Sequence, residues 1–533
     1  MWDRRLRMLA GSIAIAALPA GTSAGSLPAS VTRTGVVPRA AVERPGAATR
    51  RRDAASCSSN GSGGFVGGGA SNVAGGANSG VLSGQTNRAC DQLSVIGGGD
   101  TNTIFGNGGS DAEESFIGAG ANNYVSSYHS GIGAGYANTV SGTNAFLASG
   151  NINDIGANHA FIGSGDFNAV TGSGSFIGAG DYEYFLVHGG LPFGNQVSGV
   201  DSFIGAGDLN VVNGSGSFIG AGDFLYAQNN IGTANQVQGY DSFLGAGDQN
   251  DVGANEAFIG SGGSNLIGTS GTFAAIAGGT VNTASAVASF IGSGTTNSIG
   301  SGASYASILG GGRNSVAGQY ASVLGGYGNA ANGAYAIVAG GNSDSASGIL
   351  SYAAGYHASA GHNGSFVWSD YASGSAKLQD TASNQFLVRA SGGVFLYSNE
   401  AASAGVELAP GAGTWSSLSD RNAKTDIVPL DDSAILAKVA ALPVDAWRYK
   451  TQSGVRHVGP MAQDFYAAFG VGEDDRHITS IDEDGVALAA VKAVNAKLDR
   501  ENGGLRANEA RDENEISALH RELRRIEATL AAR

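Results

Sequence analysis

At 533 residues the chain is long enough for about three or four domains, yet 88 of its residues are glycine and only 14% are charged. Glycine at more than twice its usual share of roughly 7% excludes an ordinary globular enzyme. A formal net charge of -15 and a pI near 4.9 exclude a general nucleic-acid binder, which needs a basic surface against phosphates.

The chain opens on MWDRRLRMLAGSIAIAALPAGTSAGS. Arg4, Arg5 and Arg7 precede an apolar run from Met8 to Pro19, and Thr22-x-Ala24 supplies small residues for cleavage, so residues 1–24 read as a secretory signal peptide. The run is shorter than the ~20 residues a membrane-spanning helix needs, and no other stretch comes closer. The expectation is an exported protein, extracellular or on a cell surface, without a membrane span. Residues 25–56, including RPGAATRRRD, lack apolar periodicity and read as a disordered linker. The two cysteines, Cys57 and Cys90, suit an oxidising compartment. In a regular array of the repeats below they fall about two coils, ~9.5 Å, apart. That exceeds the ~7 Å reach of a disulfide, so a bridge requires irregular N-terminal coils.

Residues 57–365 are dominated by an internal repeat. FIGAGDLNVV, FLGAGDQNDV, FIGSGTTNSI and VIGGGDTNTI share one pattern: two apolar residues, Gly, a small residue, Gly, two variable residues, Asn, a variable residue and an apolar one. Aligned on asparagine, the unit recurs at Asn72, Asn87 and Asn102, and on through Asn297, Asn314 and Asn329, mostly at intervals of 15. Such a unit is too short for a helical hairpin and too glycine-rich for helix, since each Gly costs ~1 kcal/mol against Ala there. Short strands and tight turns remain, with Gly205 and Gly207 taking backbone angles closed to other residues and Asn in a left-handed turn position, stacked into a side-chain ladder. One coil buries too little to stand alone. The expected fold is therefore mainly β, a parallel β-roll or solenoid of roughly 17 coils and about 80 Å.

The apolar pair of the repeat contains a phenylalanine column, including Phe116, Phe146, Phe161, Phe176, Phe203 and Phe258. The column either fills the coil interior or forms a stripe shared between chains; because adjacent strand residues face opposite sides and a short coil has little interior, part of this pair points outward and an interface between subunits is expected. The aspartates after the second glycine (Asp100, Asp166, Asp181, Asp208, Asp223, Asp248) look like a calcium nonapeptide, but the period is 15, not nine. A turn aspartate bonding local amides explains the column without a metal. The array resembles the head of trimeric bacterial adhesins, a left-handed parallel β-roll, through SILGGGRNSVAG (307–318) and SVLGGYGNAANG (322–333). It differs in a longer repeat and in carrying no C-terminal membrane-barrel pattern.

Two insertions enter after the same repeat position, DYEYFLVHGGLPFGNQV (181–197) and DFLYAQNNIGTANQV (223–237). They carry Tyr182, Tyr184, Phe185, His188, Phe193, Phe224 and Tyr226, amphipathic aromatics suited to binding a surface glycan or host receptor, or else to padding the rod. No second carboxylate can be placed opposite Asp181 or Glu183, which argues against glycoside hydrolysis.

After Ser365 the repeat stops, and residues 366–418, with FVWSDYASG and NQFLVRASGGVFLYSN, read as a small β neck. Charge then rises through an α+β segment, 419–533, that ends in NEISALHRELRRIEATLAAR. Ile516, Leu519, Leu523, Ile526 and Leu530 are spaced 3, 4, 3, 4, a heptad seam that over about two heptads suits one face of a bundled helix or, as expected at the end of a fibrous chain, a self-associating coiled coil.

At the seam between neck and terminal domain stands LSDRNAKTDI, residues 418–427. A serine is a poor nucleophile until a base takes its proton, and a lysine can take it only if burial lowers its pKa toward neutrality. Together with HVGPMAQDF and the terminal heptads, SDRNAK resembles the motif Ser-Asp-x-x-x-Lys of the intramolecular chaperone of phage tailspikes and endosialidases, peptidase family S74. The resemblance implies a homotrimer whose chaperone cuts itself off between Leu418 and Ser419 once assembly is complete. It makes Ser419 the nucleophile, Lys424 the general base and Asp420 a supporting residue, with no cofactor and no metal. Many members carry Arg at the third place after Ser, where this chain has Asn422, with Arg421 beside it. A secreted fibrous or adhesin-like protein is thus expected. The alternative is a phage-type tail fibre or tailspike with repeats that bind or degrade carbohydrate.

Overall fold

The computed structural model describes residues 57–106, 111–180, 194–222, 235–371 and 376–532. The chain divides into two compact units, one reaching Val388 and one starting at Arg389.

The first unit is a parallel β-solenoid. Each coil contributes two strands, mostly of two residues, to two separate ribbons. In the first ribbon Phe161–Ile162 pairs with Phe176–Ile177, and in the second Ala169–Val170 pairs with Gln196–Val197, always parallel and in register. Pairing starts at Phe65–Val66 and runs past residue 365, where the repeat pattern stops, to Phe386–Arg389 in the first ribbon and Leu378–Gln379 in the second. Among the described residues this gives 20 strands in one ribbon and 19 in the other, more than the repeat count alone suggests.

Alternation along each strand sorts the apolar pair. Its second member points inward, so Ile117, Ile162, Ile204, Ile259 and Ile291 are all fully buried, facing Val125, Val170, Val212 and Ile267 from the second ribbon. Its first member points outward: Phe116 and Phe258 keep 44% and 42% of their surface in water. These outward rings stack along the rod at centroid spacings of 4.9 Å from Phe161 through Phe176, Phe203 and Phe218 to Phe243, uninterrupted by either insertion.

The asparagine ladder forms, with a correction at the turn. The left-handed angle belongs to the residue before the asparagine in the regular coils, such as Phe167 (φ 58°), Leu209 (φ 59°) and Gln249 (φ 58°). That residue turns the corner with its side chain outside, which lets the asparagine enter the interior. Asn168 then donates its backbone N–H and its Nδ2 to Asn153 Oδ1 on the coil before, at 2.9 and 3.0 Å. Of the two glycines singled out by the repeat, Gly207 has the expected positive φ (100°), whereas Gly205 is needed for space, because a Cβ there would strike the Gly220 carbonyl of the next coil.

Cys57 and Cys90 are bridged, with Cα atoms 5.5 Å apart. The two-coil separation expected of a regular array does not apply, because Cys57 precedes the first strand and lies against Gly75, whose missing Cβ leaves room for it. Gly75 donates its N–H to Ala89, next to Cys90, so the cysteines are about one coil apart rather than two. The Cys57 carbonyl also accepts from Arg88 Nη1 at 3.1 Å. Thiol titration of the unfolded, unreduced protein is therefore expected to find neither cysteine free; two reactive thiols per chain would contradict the pairing.

The second unit begins with a three-stranded antiparallel sheet of Val394–Tyr397, Gly405–Leu408 and Ser416–Ser417. A hairpin of Asp445–Trp447 and His457–Gly459 follows. Three helices complete it: α1 (Asp432–Ala441), α2 (Ala462–Phe469) and α3 (Ser480–Ala531). Asp431 caps α1, accepting from the Ser433 and Ala434 amides, and Thr479 caps α3, accepting from the Asp482 amide. Gly470 ends α2 in the left-handed conformation (φ 64°). With 52 residues α3 is about 78 Å long. It packs on α1 through buried Ala489, Ala490 and Ala493, reinforced by Lys492 to Asp432 at 2.8 Å. Its heptad residues Ile516, Leu519, Leu523, Ile526 and Leu530 are all exposed, and Ile481, Leu488, Val491, Leu498 and Leu505 continue the same phase, also exposed. No helix of the described residues is long and apolar enough to cross a membrane.

Candidate active site

The seam residues are held from both sides. Upstream, Ser416–Ser417 is an edge strand, and Leu418 extends its pairing by donating N–H to the Gly405 carbonyl at 3.2 Å. The bond between Leu418 and Ser419 thus lies just past the end of a sheet. Gly405 approaches its other neighbour so closely that a Cβ would strike the Leu396 carbonyl.

Downstream, Asp420 starts a single 3-10 turn, Arg421–Ala423. Its Oδ1 accepts from the Asn422 amide at 2.9 Å and from Asn422 Nδ2 at 3.1 Å, and its carbonyl accepts from Ala423. This is the turn chemistry expected of an aspartate two residues before the amide it caps. Lys424 closes the turn with its N–H on the Arg421 carbonyl at 3.2 Å. On an α-helix, positions five apart do not share a face. The tight turn brings them together instead: Lys424 Nζ donates to Ser419 Oγ at 2.6 Å.

Ser419, Asp420, Asn422 and Lys424 are all exposed in the single chain. In the single chain the pair therefore has the contact but not the burial that base catalysis by a lysine needs. The first two histidines after the motif in sequence, His457 and His477, have partners of their own. His457 Nε2 meets Gln452 Oε1 at 3.0 Å and its ring stacks on Trp447, while His477 Nδ1 lies 3.0 Å from the Asp474 carboxylate. The amide of Arg476, followed by His477, holds the Asp474 carboxyl below its ordinary range.

The aromatic residues Tyr182, Tyr184, Phe185, His188, Phe193, Phe224 and Tyr226 lie outside the described residues. What the structure gives is their base. The chain leaves the coil after Gly180 and again after Gly222, equivalent places in the repeat, and rejoins without loss of register: the Asn195 amide donates to Asn168 Oδ1 at 3.0 Å across the first insertion. An open groove lined by Gly180, Gly207, Asp208, Gly222 and Gly247 runs between these points. In the aspartate column Asp166 Oδ1 accepts from the Asn151 amide at 3.0 Å, and Asp100 Oδ1 accepts from Thr101 Oγ1 at 2.9 Å. Among the described residues no group of three or more His, Cys, Asp or Glu side chains could hold a metal ion.

Two residues that position this site escape the motif. Gly405 is far from it in sequence and carries no signal. Asn422 could have been found, because an aspartate two places before it marks an Asx turn.

Residues 419–471 match the family model of Peptidase S74, described as the chaperone of endosialidase. The match begins at Ser419 itself and follows directly on the solenoid and its sheet. A chaperone-of-endosialidase segment behind a β-solenoid fits a tail-fibre or tailspike type of assembly. No curated protein matches the chain.

Proposed function

We propose that residues 419–533 are an assembly aid that brings three copies of an exported, fibrous chain together and then severs itself between Leu418 and Ser419. The observation that carries this reading is the Lys424 Nζ to Ser419 Oγ contact of 2.6 Å inside the segment matched to a self-cleaving family. In the proposed reaction Lys424, once neutral, takes the Ser419 Oγ proton as Oγ attacks the Leu418 carbonyl carbon. The C–N bond breaks, the Ser419 nitrogen leaves as an amine with a proton returned by Lys424, and the Leu418 acyl group is left as an ester on Oγ. Water then hydrolyses that ester, freeing a carboxylate on Leu418 and restoring the serine. The reaction turns over once per chain.

The exposure of the pair supports dependence on assembly, since packing against neighbouring copies would supply the missing burial. Two surfaces support the homotrimer. One is the α3 seam, apolar and exposed at ten positions and interrupted by Asp484, Asn495, Asn502, Glu509 and Asp512. The other is the outer face of the first ribbon, where apolar bulk is conserved from coil to coil by exchange between two columns. Where the outward position is Phe161, Phe203 or Phe243, the residue two places on is Gly163, Gly205 or Gly245, over which the ring extends. Where it is Ser307 or Ser322, that residue is Leu309 or Leu324, 50% and 47% exposed. A face left in water has no reason to keep its apolar volume this way.

Secretion rests on the N-terminal residues 1–24, outside the described ones, and on a disulfide suited to an oxidising compartment. The groove between the insertions favours a rod that binds a surface glycan or receptor.

Intact-mass analysis of the purified protein tests the cleavage, with a C-terminal fragment starting at Ser419 as the expected result. Light scattering of the uncut Ser419→Ala chain should give three times the chain mass. A wild-type trimer that stays whole would overturn self-cleavage, and a monomer or dimer of Ser419→Ala would overturn the assembly.

A further inference from the structure

The asparagine ladder does not end with its last asparagine. The next rung is Asp344, 1% exposed, whose backbone N–H donates to Asn329 Oδ1 at 2.9 Å as an asparagine would. Its Oδ1 accepts from the Ala358 amide at 2.7 Å, the role every asparagine Oδ1 plays for the coil above. The difference is at the second atom. Asn314 and Asn329 each donate Nδ2 to the carbonyl of the next coil, Gly326 at 3.0 Å and Gly341 at 3.2 Å. In Asp344 that place is held by Oδ2, which is buried and makes no hydrogen bond as an acceptor. A Cβ built on Gly341 would strike both Asp344 Oδ2 and the Gly355 carbonyl, just as one on Gly326 would strike Asn329 Nδ2 and the Gly341 carbonyl. Oδ2 and the Gly355 carbonyl therefore share the small space that an amide N–H fills in the other rungs. Two acceptors there repel, whereas a hydroxyl and a carbonyl form a bond.

We propose that Asp344 is kept in the fold as the neutral acid, its Oδ2–H donated to the Gly355 carbonyl in place of an asparagine amide, and that its ionisation loosens the C-terminal coils of the solenoid. The rod then has one pH-responsive joint. It lies where the coils change shape: the pairing of Ile337–Asn342 with Tyr352–Tyr356 shifts register between Val338 and Gly341. It is also the last rung before the solenoid passes into the segment that leads to the cleavage site.

Few charges oppose this. Asn329 below is neutral, Ala358 and Gly355 above present backbone amides, and His357 on the coil above is the titratable neighbour whose charge favours the carboxylate. Burial outweighs these and pushes the Asp344 carboxyl up to about 6 from 3.8. A carboxyl raised by folding binds its proton more tightly in the folded than in the opened state. Its contribution is intact below about pH 4 and is lost as pH rises through about 6.

The test is hydrogen exchange on the full-length Ser419→Ala protein, corrected for the intrinsic pH dependence of exchange. For peptides covering 340–369, the opening equilibrium is expected to rise about 25-fold between pH 4.5 and 7.5. Peptides covering 290–330, with asparagine rungs only, should stay level. Asp344→Asn should abolish the dependence and keep 340–369 protected at pH 7.5, because it restores the rung used along the rest of the ladder; His357→Gln should leave the dependence in place. No pH dependence in the parent protein would overturn the proposal. So would a dependence that survives Asp344→Asn or disappears in His357→Gln.

Discussion

Lys424→Arg protein is expected to assemble as the wild type does and to remain uncut, or to cut roughly 10²- to 10⁴-fold more slowly, the range a general base contributes. Arginine keeps the positive charge and reaches Ser419, but it does not give up its proton in any useful range. The change therefore separates a base from a fixed cation. Ser419→Ala should stop the reaction altogether while leaving the turn intact, since Asp420 Oδ1 and Asn422 hold that turn without the serine hydroxyl. Because only neutral lysine accepts the proton, the cleavage rate of assembled wild type should fall as pH falls and level off at high pH. Time courses resolved by denaturing gel and intact mass provide both readings. Near wild-type cleavage by Lys424→Arg would show that Lys424 is not the base, and His457 or His477 would then have to be released from Gln452 or Asp474 to serve.

Asn297→Ala is expected to destabilise the solenoid by about 2–4 kcal/mol, through one buried amide, at about 1–3 kcal/mol, and two partly buried carbonyls losing their partners. Asn297 Oδ1 accepts from the Asn314 amide at 3.1 Å, and Nδ2 donates to the carbonyls of Ser293 and Gly311 at 3.1 and 3.0 Å. The Asn314 amide is left buried without its partner, while the Ser293 and Gly311 carbonyls lose bonds that are only partly buried. Its neighbour Ser298 begins the strand Ser298–Ile299 and is exposed, and Ser298→Ala should stay within about 0.5 kcal/mol. Denaturant midpoints on the uncut protein, with exchange protection of 280–315 to localise the loss, make the comparison. Equal effects at the two positions would mean that the ladder is an alignment of side chains and not a source of stability.

The period, the apolar pair and the asparagine column determined the solenoid, because a repeat that cannot bury its own apolar face has to stack on copies of itself. The sequence also singled out Ser419, where the family match begins, by a change of composition and a six-residue motif, whereas the compact units divide earlier, after Val388. The tertiary structure was needed wherever the outcome depended on what lies on the next coil or across a turn. Phe161 and Ile162 are equally apolar on paper, and only strand alternation makes one core and the other surface. Asn168 and Phe167 are neighbours, yet the strained left-handed angle falls on the phenylalanine, because the asparagine has to aim its amide along the rod axis. Cys57 and Cys90 meet because the chain before the first strand is free to lie against Gly75, a contact no count of residues reveals. Asp344 reads as a break in the asparagine column and is in fact its next rung, since position in a stack is set by backbone register and not by side-chain identity. Ser419 and Lys424, five apart and on no common helical face, are joined by one 3-10 turn that Asp420 caps. Their exposure in the single chain is a property that the motif does not carry, because burial is set by what packs on the turn and not by the turn itself.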